Sequence, residues 1–203
     1  MRHRRISAQT GLAGAASLLF TSCVTLNQAP PALPTLGFLN GTEFIVLQPY
    51  RYRIGSTAHS IEVPEGFVTD FASIPPGLRA IFERQGRYSR AAVIHDYLYW
   101  SQVCTREQAD NIFKIAMREL GVRRRERDPI HVAVRAAGGA AWSANRRDRA
   151  ANRPRVVPEN RFGLADRHTW QSAREKLIAA GVRDPAFPNN PAACALGNST
   201  AVP

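Results

Sequence analysis

Residues 91–113, AAVIHDYLYWSQVCTREQADNIF, constrain the chain more than any other stretch, because they read as two helices folded back on one another. Apolar residues recur at helical spacing through Ala91, Ile94 and Leu98, and again through Ala109, Ile112, Phe113, Ala116 and Leu120. Thr105 followed by Gln108 is a capping box that opens the second helix, and Gly121 stands where a C-terminal cap belongs. The connection, residues 101–104, is short enough to force antiparallel neighbours. Its centre lies midway between His95 and Asp110, so the two side chains come level as each helix runs away from the turn. Packed helices have axes roughly 8–10 Å apart, a gap that an imidazole and a carboxylate reaching inward can close. Tyr99, at i+4 from His95, shares its face and brings a hydroxyl toward the same carboxylate. Asp96 points partly aside, suited to a cation or a salt bridge.

A neutral histidine oriented by a carboxylate is the device by which a general base activates water or a hydroxyl. The plainer alternative is a core histidine satisfied by hydrogen bonds, since His95 lies on the stripe of Ala91, Ile94 and Leu98.

Three motifs, GFVTDFASIPP (66–76), GRYSRAAVIHDYLY (86–99) and ADNIF (109–113), resemble a bacterial and phage family of unknown function, DUF1353, over roughly residues 38–142. The resemblance implies no activity. The pattern His-Asp-x-x-Tyr in one helix and Asp-x-x-Phe in the next is also similar to the catalytic helices of secreted and parvoviral phospholipase A2 enzymes. That similarity implies His95 as base, Asp96 as a calcium ligand, and Asp110 with Tyr99 as the groups orienting the histidine. The glycine-rich calcium loop of those enzymes is not visible here, and the half-cystines that staple their helices are missing. A hard cation wants six or more oxygens, of which the sequence offers few.

Upstream, residues 1–23 read as an export signal: Arg2, Arg4 and Arg5 precede a short apolar run over residues 11–20, too short to span a bilayer. Thr21-Ser22-Cys23 resembles a bacterial lipoprotein cleavage site, with Cys23 acylated. The alternative is a plain secretory peptide. Val24 after the cysteine favours, by resemblance to sorting rules, an outer-membrane anchor facing the periplasm, and residues 24–36 then form a flexible tether. Of the remaining cysteines, Cys104 and Cys194 either pair in an oxidising compartment or stay free. The formal net charge of +11 points to an anionic partner, either anionic lipid or an acidic wall polymer. Nucleic acid fits an exported chain poorly, and the basic stretches lack interleaved aromatics.

Residues 37–71 change to strand patterning. Runs at 44–47, 50–54 and 60–63 are separated by turn residues, the middle one alternating strictly, which predicts a small antiparallel meander laid on the helices. Asp70 and Ser73 follow in a loop closed by Pro75 and Pro76, suited to a site wall or to simple turn chemistry. If that loop folds over the hairpin, Asp70 joins Asp96 in holding a cation or substrate. Ser73 is a weaker candidate, a nucleophile without a nucleophile elbow. A third helix is expected from Asp128 and Pro129 to Trp142, with Gly138 and Gly139 permitting close packing and His131 at the surface or in the core. Residues 143–155 read as extended and arginine-rich, residues 166–180 as an amphipathic helix burying Trp170 and Leu177, and residues 183–203 as a disordered tail.

The expectation is one α+β domain over residues 37–155, with its sheet at 37–71 and helices at 88–145, followed by a helical extension at 156–182. Functionally it is a lipid-anchored hydrolase of ester bonds, with a phospholipid as first substrate and calcium as a candidate ion. The alternative is a non-enzymatic envelope or phage-derived protein whose histidine and aspartates form a structural polar network.

Overall fold

The computed structural model describes residues 33–40, 43–71, 87–165 and 169–203. Five short strands come first: β1 (Leu36–Asn40), β2 (Glu43–Val46), β3 (Tyr50–Arg53), β4 (Ser60–Val63) and β5 (Val68–Thr69). Every pairing is antiparallel, as expected, and the strands divide between two sheets, one of order β1-β2-β5 and a β3-β4 hairpin. The division has a local cause. A bend at Leu47 and Gln48, followed by Pro49 with no N–H to donate, turns the chain out of the first sheet before β3. Alternation in β3 then buries Tyr50 and Tyr52 and exposes Arg51 and Arg53. On the wet face Arg51 pairs with its cross-strand neighbour Glu62 at 2.9 Å.

Behind the sheets lie α1 (Arg87–Ser101), α2 (Arg106–Glu119) and α3 (Arg124–Ala150). The α1–α2 hairpin forms as the spacing predicts, and both arms of the capping box at Thr105 and Gln108 are made. Residues 91–101 of α1 are all buried. The helix is therefore the axle of the core, covered on one side by β4 and β5 and on others by α2 and α3. A second, smaller apolar cluster, Leu39, Ile45, Val68, Val157 and Leu177, packs the other face of the first sheet. Gly66 permits the approach: a Cβ there would sit 2.0 Å from the Val157 carbonyl oxygen, and its φ of +80° is left-handed.

Four expectations are corrected. The third helix begins at Arg124, not at Asp128, and it continues to Ala150 through the stretch expected to be extended. The extra turns are held by polar contacts with the end of α1, where helical carbonyls lack intrahelical donors. Asn145 Nδ2 donates to Tyr99 O at 3.2 Å, and Arg149 Nη1 donates to Ser101 O at 2.6 Å. The predicted helix at 166–180 is observed as α5 (Trp170–Ala179), after a 3₁₀ turn (Glu159–Arg161) and a one-turn α4 (Phe162–Ala165). Leu177 is buried there, while Trp170 is only half-buried.

The tail from residue 183 is ordered, contrary to its composition. Asp184 accepts from the backbone N–H groups of Arg155 and Val156 at 2.7 and 2.8 Å, and from Trp100 Nε1 at 2.6 Å. Asn190 caps α6 (Pro191–Leu196), and Cys194 is joined to Cys104 by a disulfide. Gly197 then rests against Gln108, where a Cβ would meet the carbonyl oxygen at 2.5 Å. Among the described residues no helix is long and apolar enough to cross a membrane.

Candidate functional site

Antiparallel packing of α1 and α2 brings His95 level with Asp110, and the pair is fully buried. His95 Nε2 lies 2.9 Å from Asp110 Oδ1, and the Tyr99 hydroxyl donates to the same oxygen at 2.7 Å. The other carboxylate oxygen, Oδ2, faces two arginines, with Arg106 Nη1 at 3.3 Å and Arg135 Nη1 at 3.6 Å. Burial pushes the Asp110 carboxyl upward. Hydrogen bonds from His95 and Tyr99 and the charge of Arg106 outweigh that push, and the group stays below its ordinary value. Burial and the adjacent carboxylate together raise the Tyr99 phenol, so it stays a donor.

These polarities assign the histidine's protons. Facing an ionised oxygen, Nε2 carries hydrogen, so in the neutral ring the lone pair belongs to Nδ1. Nδ1 is buried and, among the described residues, has no hydrogen-bond partner. The ring stacks on Phe113 at 4.5 Å, tilted 23°, and packs against Tyr99 at 4.2 Å. The arrangement fixes the imidazole in plane and rotation, aims one nitrogen at an ionised carboxylate, and leaves the other without a partner among the described residues.

Room for the phenol comes from α3. A Cβ on Gly138 would sit 2.2 Å from the Tyr99 hydroxyl oxygen, and Trp142 meets the same ring edge-on at 5.2 Å. His131, left open between surface and core, is half-buried on α3 and lies 3.2 Å from Asn111 Oδ1. Burial, reinforced by Lys114, lowers its ring to about 4.

The expected site residues do not all converge. Asp96 is buried one residue on, but its Oδ2 accepts from Thr69 Oγ1 on β5 at 2.6 Å. This bond ties α1 to the end of the sheet, beside the left-handed Phe71 at φ 51°. Asp70 pairs with Arg155 Nη2 at 3.3 Å, while the same guanidinium donates to Val68 O at 2.8 Å. The described contacts thus carry Asp70 toward Arg155 rather than to His95. Among the described residues no three His, Cys, Asp or Glu side chains gather as a metal would need, so the calcium expectation finds no ligand set there. Ser73 and Cys23 lie outside the described residues.

Arg106, Arg135 and Thr69 complete the geometry and were not singled out from sequence, whereas Gly138 was expected to permit close packing and does so against Tyr99. Arg106 carried a signal, standing four residues before Asp110 on one helix face. Arg135 and Thr69 carried none, since each reaches the site only through tertiary packing.

Residues 44–134 match the model of a family described as "Protein of unknown function (DUF1353)". That span takes in the strands from β2 onward, the whole α1–α2 hairpin and the first part of α3. The family resemblance read from the three motifs is borne out over it. No curated protein and no solved structure gives a significant match.

Proposed function

We propose that residues 44–134, a segment of the DUF1353 kind, form the catalytic frame of an ester hydrolase with His95 as its base. The observation carrying this reading is the buried Nδ1, without a partner among the described residues, of a ring whose Nε2 is locked onto ionised Asp110. In the proposed step, Nδ1 takes a proton from water as the oxygen attacks an ester carbonyl carbon, and it returns that proton to the leaving alkoxide when the acyl–oxygen bond breaks. Asp110 stabilises the transient imidazolium, and Tyr99 positions Asp110. A phospholipid ester is the first substrate class, as the local similarity to phospholipase A2 helices suggests.

Export and lipid anchoring through Cys23, on the periplasmic side of an outer membrane, belong to the same reading. The Cys104–Cys194 disulfide supports an oxidising compartment. Incorporation of labelled fatty acid that disappears in Cys23→Ser tests the anchor.

One observation favours a second reading. The His95 ring has no solvent exposure, as befits a buried polar network that specifies the fold of a non-enzymatic envelope or phage-derived protein. Hydrolysis of mixed phospholipid vesicles by the wild-type protein and by His95→Ala, with and without calcium, separates the two. The hydrolase reading expects a fall of about two to four orders of magnitude in the variant. Equal rates from two folded proteins would establish the network reading.

A further inference from the structure

Where the C-terminal end of α3 meets the tail, a recess of about 190 Å³ is lined by Arg149, Asn152, Arg153, Arg183, Asp184 and Phe187. Neither His95 nor Asp110 reaches it. Its charges are unevenly matched. Arg153 is neutralised by Glu175 at 2.7 Å and Asp148 at 3.6 Å. Arg149 and Arg183 instead donate to backbone carbonyls, those of Ser101 at 2.6 Å and Asn152 at 3.3 Å. Among the described residues neither is paired with a carboxylate. The one acid on the wall, Asp184, is already engaged by three neutral donors, the N–H groups of Arg155, Val156 and the Trp100 indole.

A guanidinium carries five N–H donors, and Arg149 and Arg183 each commit one of them to the bonds described. Arg149 is further held in plane by the Phe187 ring, 5.6 Å from its central carbon to the ring centroid. Two cations face one small space whose single wall carboxylate, Asp184, has its oxygens taken up by neutral donors rather than by either arginine, so their charges are only partly offset. An oxyanion placed there offsets the remainder and gains charge-assisted hydrogen bonds. Donors arrive from two directions, the end of a helix and the tail, which suits a tetrahedral anion better than a planar carboxylate.

We propose that this recess binds a phosphate group, carried either by a soluble phosphate compound or by a lipid headgroup. The site is independent of the histidine chemistry and stands or falls separately from it. The test measures binding of inorganic phosphate by calorimetry, and co-sedimentation with phosphatidylcholine vesicles prepared with and without phosphatidate. The variants are Arg183→Gln, Arg149→Gln and, as a control on the far end of α3, Arg124→Gln. Arg183 is exposed and its recorded bond is to one backbone carbonyl, so its variant folds and decides the matter even if Arg149→Gln does not. The expected result is binding of one probe that weakens about tenfold in Arg183→Gln and is unchanged in Arg124→Gln. Free phosphate binding assigns a soluble ligand, and phosphatidate-dependent sedimentation assigns a headgroup. No saturable binding of either probe, or equal weakening by Arg124→Gln, would overturn the proposal.

Discussion

Asp110 is the acceptor on which four side chains converge, so its loss strands more partners than the loss of any one donor. Asp110→Asn is expected to destabilise the fold by about 3–5 kcal/mol, because the buried hydrogen bonds from His95 and Tyr99 to a charged group are both weakened and the half-buried Arg106 and Arg135 lose a counter-ion. Tyr99→Phe removes one hydrogen bond to a charged group and should cost about 2 kcal/mol. Urea denaturation of the two variants checks the order, and equal losses would remove Asp110 from the centre of the network. His131 adds a pH dependence of definite sign. Its ring protonates near 6.5 when unfolded and near 4 when folded, so its contribution is complete above pH 6.5 and is lost as the pH falls from 6.5 toward 4. The neighbours that face it, Lys114, Arg135, Asp110 and Asp128, act in both directions, with Lys114 and burial prevailing. The held-down Asp110 carboxyl adds its own loss only at lower pH, below the ordinary aspartate value of 3.8. Urea midpoints of His131→Gln should therefore fall less steeply between pH 6.5 and 4 than those of the wild type. At this scale the meeting of His95, Asp110 and Tyr99 was legible because a short turn makes residues equidistant from it come level. The partners of Asp96 and Asp70 were not legible, because Thr69 and Arg155 approach from elements whose docking leaves no trace in local spacing.

Among the helices, α3 shows how one missing side chain sets a contact. Gly138→Ala drives a methyl group into the Tyr99 hydroxyl and should cost about 1–3 kcal/mol by overpacking. Gly139→Ala meets nothing within 4 Å and should stabilise the helix by about 0.5–1 kcal/mol. Thermal melts of the two variants that move in the same direction would contradict the packing described. The start of α2 was written in the capping box, and Thr105→Ala is expected to remove about 1 kcal/mol. Less of α3 could be read in advance. Its arginine-rich second half resembles a solvated loop in composition, yet Asn145 and Arg149 serve the open carbonyls of α1, a demand that exists only once the helices pack. Similarly, α1 looks like an ordinary amphipathic helix in sequence and is covered on every side in the structure, which is why His95 and Asp96 are both buried.

Taken whole, the molecule is an α+β domain closed by a covalent strap. Residues 104 and 194 are 90 positions apart, and in the chain-entropy picture a loop of that size contributes about 4–5 kcal/mol by restricting the unfolded chain. Thermal denaturation with and without reductant, alongside Cys194→Ser, should show a large and matching drop. A reduced protein as stable as the oxidised one would mean that the tail is held by its other contacts. The fold class was visible in the change from strand alternation to helical spacing. The ordered tail was not, because proline, asparagine and alanine say little by themselves and the groups that hold it, Cys104, Gln108, Asn111 and Trp100, lie far upstream. Closure across so wide an interval also sets a timetable. A chain made from its N-terminus can bend its hairpin early, but the thiol at that bend must wait, open to wrong partners, until Cys194 has emerged 90 positions later.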